Sequence, residues 1–313
     1  MDNESLTPVA VFAYNRPEKI RSCIEALEKC TKSCCTDLFL FCDGRKGDSD
    51  KDSVNAVQDW ARSYQKEEHV FSSVHVNLKD KNIGLANSIV SGVTELIEKY
   101  GKVIVVEDDL IVEHSFLEYM NNALAFYESN EKIWAIASYG YNLKSLKKYK
   151  HDVYMGYRAS SWGWATWKDR WQTVDWSVSD YHELETSKEK QKLFCRGGGD
   201  LYPMLQRQMR GESDSWAIRW NYAASKQDKL TVYPKYGLVS NYGFDGTGTH
   251  SGLNAPKSIV SENSGIVFEN LNLDRKITRE FYLMHTDTLY KKIKRNLSIK
   301  DIRKLLKRIM REK

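Results

Sequence analysis

The chain has 313 residues, 41% of them hydrophobic and 28% charged. That composition excludes a disordered or fibrous protein and allows a sizeable core. No apolar run reaches the roughly 18 residues of a membrane-spanning helix, and the polar stretch Met1–Pro8 lacks the basic-then-apolar pattern of a secretory signal. The net charge of +5 conceals a basic tail: residues 290–313 hold eleven Lys or Arg and two acids, a net of +9, which leaves the rest at −4. A general nucleic-acid surface is therefore not indicated.

Chain order begins with Val9–Tyr14, an apolar run suited to a buried strand. Asn15 is a plausible helix cap, Pro17 fits a first helical turn, and Ile20, Cys23, Ile24 and Leu27 recur at helical spacing. Asp37–Cys42 reads as a second strand, ending at Asp43-Gly44. A polar helix over Asp52–Gln65, a strand over Phe71–Val76 and a helix over Leu85–Tyr100 follow. Lys102–Val106 is a fourth strand, running into Glu107-Asp108-Asp109, and His114–Tyr127 is again helical. This repetition predicts an α/β fold, a mostly parallel sheet flanked by helices. Right-handed crossovers bring the strand C-termini to one rim, where ligands bind in open sheets of this kind.

The second half is less regular. It contains the tryptophan-rich stretch Ser161–Trp167, a triple glycine at 197–199, a helix predicted over Asp200–Arg210, and the glycine-rich loop Asn241–Gly252. Five of the six cysteines fall within the first 42 residues, two of them adjacent. This is not the spread of a secreted disulfide framework, and the spacing of Cys30, Cys34, Cys35 and Cys42 fits no paired CxxC zinc pattern. Reduced thiols and a cytoplasmic location are expected.

Three successive carboxylates after Val-Ile-Val-Val are costly to hold near a core unless their charge is compensated. Mg²⁺ or Mn²⁺ supplies such compensation, binding one or two carboxylates together with substrate phosphates. An exposed acidic turn at a helix start is the plainer alternative.

Together these segments resemble GT-A glycosyltransferases, in the lineage of the Golgi N-acetylglucosaminyltransferase that initiates complex N-glycans and of bacterial family-2-like sugar transferases. The resemblance is carried by Val9–Pro17, Asp43-Gly44, Asn82–Ala86 and Val105–Leu110, with Phe116 after them. It implies a nucleotide-sugar site made by Ala13, Asn15, Arg16, Asp43, Asn82, Gly84, Glu107 and Asp108. Arg16 would contact the nucleotide, Asp43 the uracil base, and Asp109 the metal. One departure is visible: Lys79-Asp80-Lys81-Asn82 stands where the Golgi enzyme has a nucleotide-contacting histidine.

The resemblance also implies inversion, with an Asp before a Trp as general base. Asp214-Ser215-Trp216 fits, with Glu212 as the second candidate and a helix N-cap as the structural alternative for Asp214. Seven of nine tryptophans lie between 162 and 220. Most should be core, with Trp162 or Trp164 covering a sugar face. His250, in the glycine-rich loop, is a candidate metal or diphosphate ligand.

Residues 1–130 are expected to form the nucleotide-sugar half, 131–289 the acceptor and catalytic half, and 290–313 a basic amphipathic helix. That helix would either pack on the domain or attach reversibly to the anionic inner face of the cell membrane. The expected activity is transfer of a sugar from a UDP-sugar to a glycan or lipid-linked saccharide in cell-surface polysaccharide synthesis. A nucleotidyltransferase that makes sugar nucleotides would carry a Gly-rich phosphate loop where Asn15-Arg16-Pro17-Glu18 stands. A non-catalytic carbohydrate-binding protein would not need the acidic triplet.

Overall fold

In the computed structural model, residues 6–243 and 265–286 are described. His250 and the basic tail lie outside them. Ten strands occur among the described residues: β1 Val9–Ala13, β2 Asp37–Cys42, β3 Ser73–Leu78, β4 Lys102–Glu107, β5 Leu110–Val112, β6 Ile133–Ala137, β7 Val153–Gly156, β8 Trp164–Trp167, β9 Leu230–Pro234 and β10 Val239–Asn241. The first five helices are α1 Pro17–Glu28, α2 Lys51–Lys66, α3 Leu85–Tyr100, α4 Phe116–Tyr127 and α5 Lys168–Trp171. The others are α6 Tyr181–Thr186, α7 Lys188–Phe194, α8 Leu201–Met209, α9 Trp216–Lys226 and α10 Arg275–Met284.

Eight strands form one sheet in the order β3-β2-β1-β4-β8-β6-β9-β7. β1 to β4 pair in parallel, and β6 and β9 run the same way, while β7 and β8 run against them. The fold is α/β, a mostly parallel mixed sheet flanked by helices. Strands from both halves of the chain share it.

The unbroken apolar runs of β1, β2 and β4 follow from cover on both faces, which strand alternation serves separately. Val9, Val11 and Ala13 pack with Ile20 and Ile24 of α1 and with α4 on one face. Ala10 and Phe12 pack with Ile89 and Val93 of α3 and with Trp216 and Trp220 of α9 on the other. Each fully buried aliphatic side chain contributes roughly 1.5–3 kcal/mol, so this two-faced run is the spine of the domain.

The third strand begins two residues later than its apolar pattern suggests, at Ser73. The cap of α1 is Arg16, with no side-chain capping bond, so Asn15 does not serve as the cap. A separate two-stranded ribbon pairs β5 with β10, Leu110 opposite Asn241, immediately after the acidic triplet.

Candidate active site

The C-terminal ends of β1, β2 and β4 open onto a cleft of about 890 Å³, within the range of small-molecule sites. Ala13, Asn15, Arg16, Asp43, Asn82, Gly84 and the whole triplet Glu107–Asp109 line one wall. Trp162, Glu212 and Asp214, from the second half of the chain, line the facing side.

Arg16 clasps the triplet. Its Nε donates to Asp108 Oδ2 at 3.3 Å, its Nη2 bonds Asp108 Oδ1, and its Nη1 donates to Asp109 Oδ2 at 2.9 Å. The side chains of Arg16, Asp108 and Asp109 are 19%, 3% and 11% exposed. Arg16, for which a nucleotide contact is expected, lines the cleft and pairs with both aspartates. A fork-shaped guanidinium is suited to spanning two carboxylates.

Arg16, with a lesser pull from Lys19 on Asp108, does not balance three acids. Burial, then Asp109 and Asp108, push Glu107 up to about 8, even though Arg16 opposes the shift. Burial pushes Asp108 up to about 6, again against the pull of Arg16. Asp109 Oδ1 is buried and has no hydrogen-bond partner. An unpartnered carboxylate oxygen in an under-compensated acidic group fits a hard divalent cation, which takes oxygen ligands. Among the described residues no group of three or more His, Cys, Asp or Glu is arranged to hold a metal by itself.

The ribbon β5–β10 carries the chain over this point. Tyr242 N donates to the Asp109 carbonyl at 2.9 Å, and Lys19 Nζ donates to the Tyr242 carbonyl at 2.8 Å. A Cβ on Gly243 would overlap Asp109 Oδ2, so only glycine fits there without displacing the carboxylate.

Asp43, for which a base contact is expected, lines the cleft and accepts three backbone N–H groups. Its Oδ1 accepts from Gly44 N and Ile83 N, and its Oδ2 from Gly84 N, at 2.8–3.0 Å. Asn82 Nδ2 donates to the Gly44 carbonyl at 2.9 Å. Asp43 and Asn82 therefore bind the loop after β2 to the loop before α3 and shape the cleft floor. Gly84, at φ +82°, has a backbone that side chains rarely adopt. A Cβ built there would stand 3.8 Å from Asp214 Oδ2, so Gly84 is where the two walls meet.

Asp214 is not the cap of α9. Ser215 is, its hydroxyl accepting from Ile218 N at 3.3 Å. This leaves the Asp214 carboxylate 59% exposed, held from one side by Arg219 Nη2 at 3.1 Å. Glu212 is engaged by Arg210 through two bonds of 2.6 and 3.1 Å at the surface.

The tryptophans of this stretch divide between cleft and core. Trp162 lines the cleft and stands edge-on to Tyr139 at 4.7 Å. Trp164, in β8, is fully buried and stacks on Trp216 at 5.0 Å and Trp171 at 5.9 Å. The expected sugar contact by Trp164 is thereby corrected: it is core.

Sequence reasoning missed Arg158 and Asn221, which also line the cleft. Arg158 makes a bidentate pair with Asp200 at 2.8 and 3.0 Å. Asn221 accepts from Ala159 N at 2.8 Å and donates to the Ala217 carbonyl at 2.8 Å, fixing the 159–162 segment against α9. No motif marks either residue; each acts with a partner distant in sequence.

No protein-family model matches the sequence, and no curated protein does. Among solved structures, the chain is similar to a mannosyltransferase, PcManGT from Pyrobaculum calidifontis, in complex with GDP-Man and Mn²⁺. That likeness is 9% identical with a TM-score of 0.36, over 54% of this chain and 46% of the other. It is also similar to LgtC, solved as an active-site mutant, at 10% identity and a TM-score of 0.35, over 57% of this chain and 65% of the other. The chain spans less than two thirds of either neighbour's length.

Proposed function

We propose that this protein is a metal-dependent inverting glycosyltransferase of the GT-A type, with a UDP-sugar as donor and a glycan hydroxyl as acceptor. The observation that carries the reading is the shared cleft: an under-compensated acidic triplet with an unpartnered Asp109 oxygen on one wall, and the accessible Asp214 carboxylate on the other. On this reading residues 1–130 hold the donor and 131–289 the acceptor.

Asp109 is the assigned ligand of Mn²⁺ or Mg²⁺, beside Glu107 and Asp108, and such an ion when bound neutralises charge on a departing diphosphate. Asp214 accepts the proton of the acceptor hydroxyl as its oxygen bonds to the anomeric carbon. The bond from that carbon to the diphosphate oxygen breaks on the opposite face. The Arg219 contact orients Asp214. Trp162 offers an aromatic face at the cleft wall for a sugar ring. The basic tail is assigned to reversible contact with an anionic membrane surface, which would bring a lipid-linked acceptor near.

Incubation with candidate nucleotide sugars, with and without Mn²⁺, tests the reading. Release of nucleoside diphosphate that requires the metal supports it. Release of pyrophosphate from a nucleoside triphosphate and a sugar phosphate would point instead to a nucleotidyltransferase. Binding of glycans with no turnover of any nucleotide would point to a carbohydrate-binding protein.

A further inference from the structure

A second cleft, of about 840 Å³, opens beside the first. The two are separated by the first turn of α8 and the end of α10. Leu201 and Met204 face the first cleft, while Tyr202 and Pro203 face the second. His285 lines the first and Tyr282, one turn earlier, the second.

Its walls are cationic on both sides. Lys188 and Lys192 are spaced one helical turn apart on α7, and Arg275 and Arg279 likewise on α10, so each helix turns one basic stripe inward. Arg196 adds a fifth cation, paired with the exposed Asp228 at 2.7 Å and lying over the Tyr157 ring at 4.1 Å. No Asp or Glu among the described residues lines the cleft. None is ion-paired with Lys188, Lys192, Arg275 or Arg279 in it. Like charges facing each other across a gap repel, so this arrangement costs energy that a bound anion would relieve. Tyr157, Tyr202 and Tyr282 stand among the cations. Aromatic faces beside guanidinium forks match a ligand that presents C–H surfaces and anionic groups together.

We propose that this cleft binds an acidic saccharide, one whose sugar rings carry carboxylate or phosphate groups. The volume exceeds what a lone phosphate fills, and the tyrosines would be idle with one. Because the cleft borders the first, an acidic acceptor glycan could run from one to the other, a placement that rests on the transferase reading; the binding itself does not.

Calorimetric titration of the full chain tests it without donor or metal, so its outcome is separable from that of the transferase assay. The probes are a uronic-acid tetrasaccharide, a neutral tetrasaccharide of the same length, inorganic phosphate, and an oligothymidylate of matched charge. The acidic tetrasaccharide is expected to bind at least about tenfold more tightly than each of the others, and to weaken in 0.5 M salt. Arg275→Gln with Arg279→Gln on one wall, and separately Lys188→Gln with Lys192→Gln on the other, should each weaken it about tenfold or more, since a charge-assisted hydrogen bond contributes about 1.5–3 kcal/mol. These side chains are exposed, and circular dichroism should show both double variants folded. Equal binding of acidic and neutral sugars, equal binding of the oligothymidylate, phosphate binding as tight as the tetrasaccharide's, or indifference to either double variant would overturn the proposal.

Discussion

The two walls of the active cleft carry carboxylates under opposite conditions. On the strand side, Glu107, Asp108 and Asp109 are withdrawn from solvent, the two aspartates clasped by Arg16 and the group still short of positive charge. On the helix side, Asp214 stands open to solvent beside one arginine, and the capping that might have occupied it is done by Ser215. A buried, crowded carboxylate suits a site completed by a cation; an accessible one suits proton transfer. The two kinds come together in one cleft, with Gly84 of the strand wall beside Asp214 of the helix wall.

Breaking the strand wall should have the larger effects. Asp109→Asn keeps the side-chain shape and removes the charge. Loss of several kcal/mol of charge stabilisation should lower metal-dependent transfer on the order of 10³-fold, with the melting temperature little changed. Near-normal turnover in this variant, or in wild type with the metal chelated, would remove the triplet from the chemistry.

Arg16→Gln tests the clasp. Removing one partner of a buried ion pair leaves uncompensated charge, at a cost of about 3 kcal/mol, the low end for such pairs because Arg16 keeps some solvent contact. Melting curves should fall by several degrees, and Mn²⁺ should raise the variant's midpoint more than it raises the wild type's. An unchanged midpoint would mean that the clasp does not hold the triplet.

On the helix wall, Asp214→Asn should lower kcat about 10²-fold, the lower end for a general base because water reaches this position, with little change in donor affinity. A collapse of donor binding with an unaltered rate on bound substrate would make Asp214 a binding residue. The smallest effect is expected from Glu212→Gln. Its partner Arg210 is a surface residue, and a pair so screened by solvent contributes little, so the rate should change by less than about threefold and the melting temperature hardly at all. A loss matching that of Asp214→Asn would reverse the two assignments.

The strand wall was the more legible in sequence. β2 and α3 fall at the residues their patterns predict, because a strand covered on both faces reads as an apolar run and an amphipathic helix as a 3.6-residue repeat. The ends of these strands then bring Arg16, Asp43 and the triplet together by topology alone. What those residues touch was not legible. Arg16 and Asp108 are 92 positions apart, and Asp43 reaches Gly84 across 41. The short strand β8, inserted antiparallel between β4 and β6, reads locally as a tryptophan-rich patch. Its register decides that Trp164 is core, while Trp162, just before the strand, stays at the cleft. The capping of α9 turned on a single position, Ser215 rather than Asp214, which composition does not separate.

The most direct test of the central claim is an anomalous diffraction map at the manganese edge, from crystals grown with Mn²⁺ and UDP. One strong peak is expected in contact with Asp109 and with the diphosphate, inside the cleft shared with Asp214. A diphosphate bound in that cleft with no peak at Asp109, or a peak only at a site remote from the triplet, would contradict it.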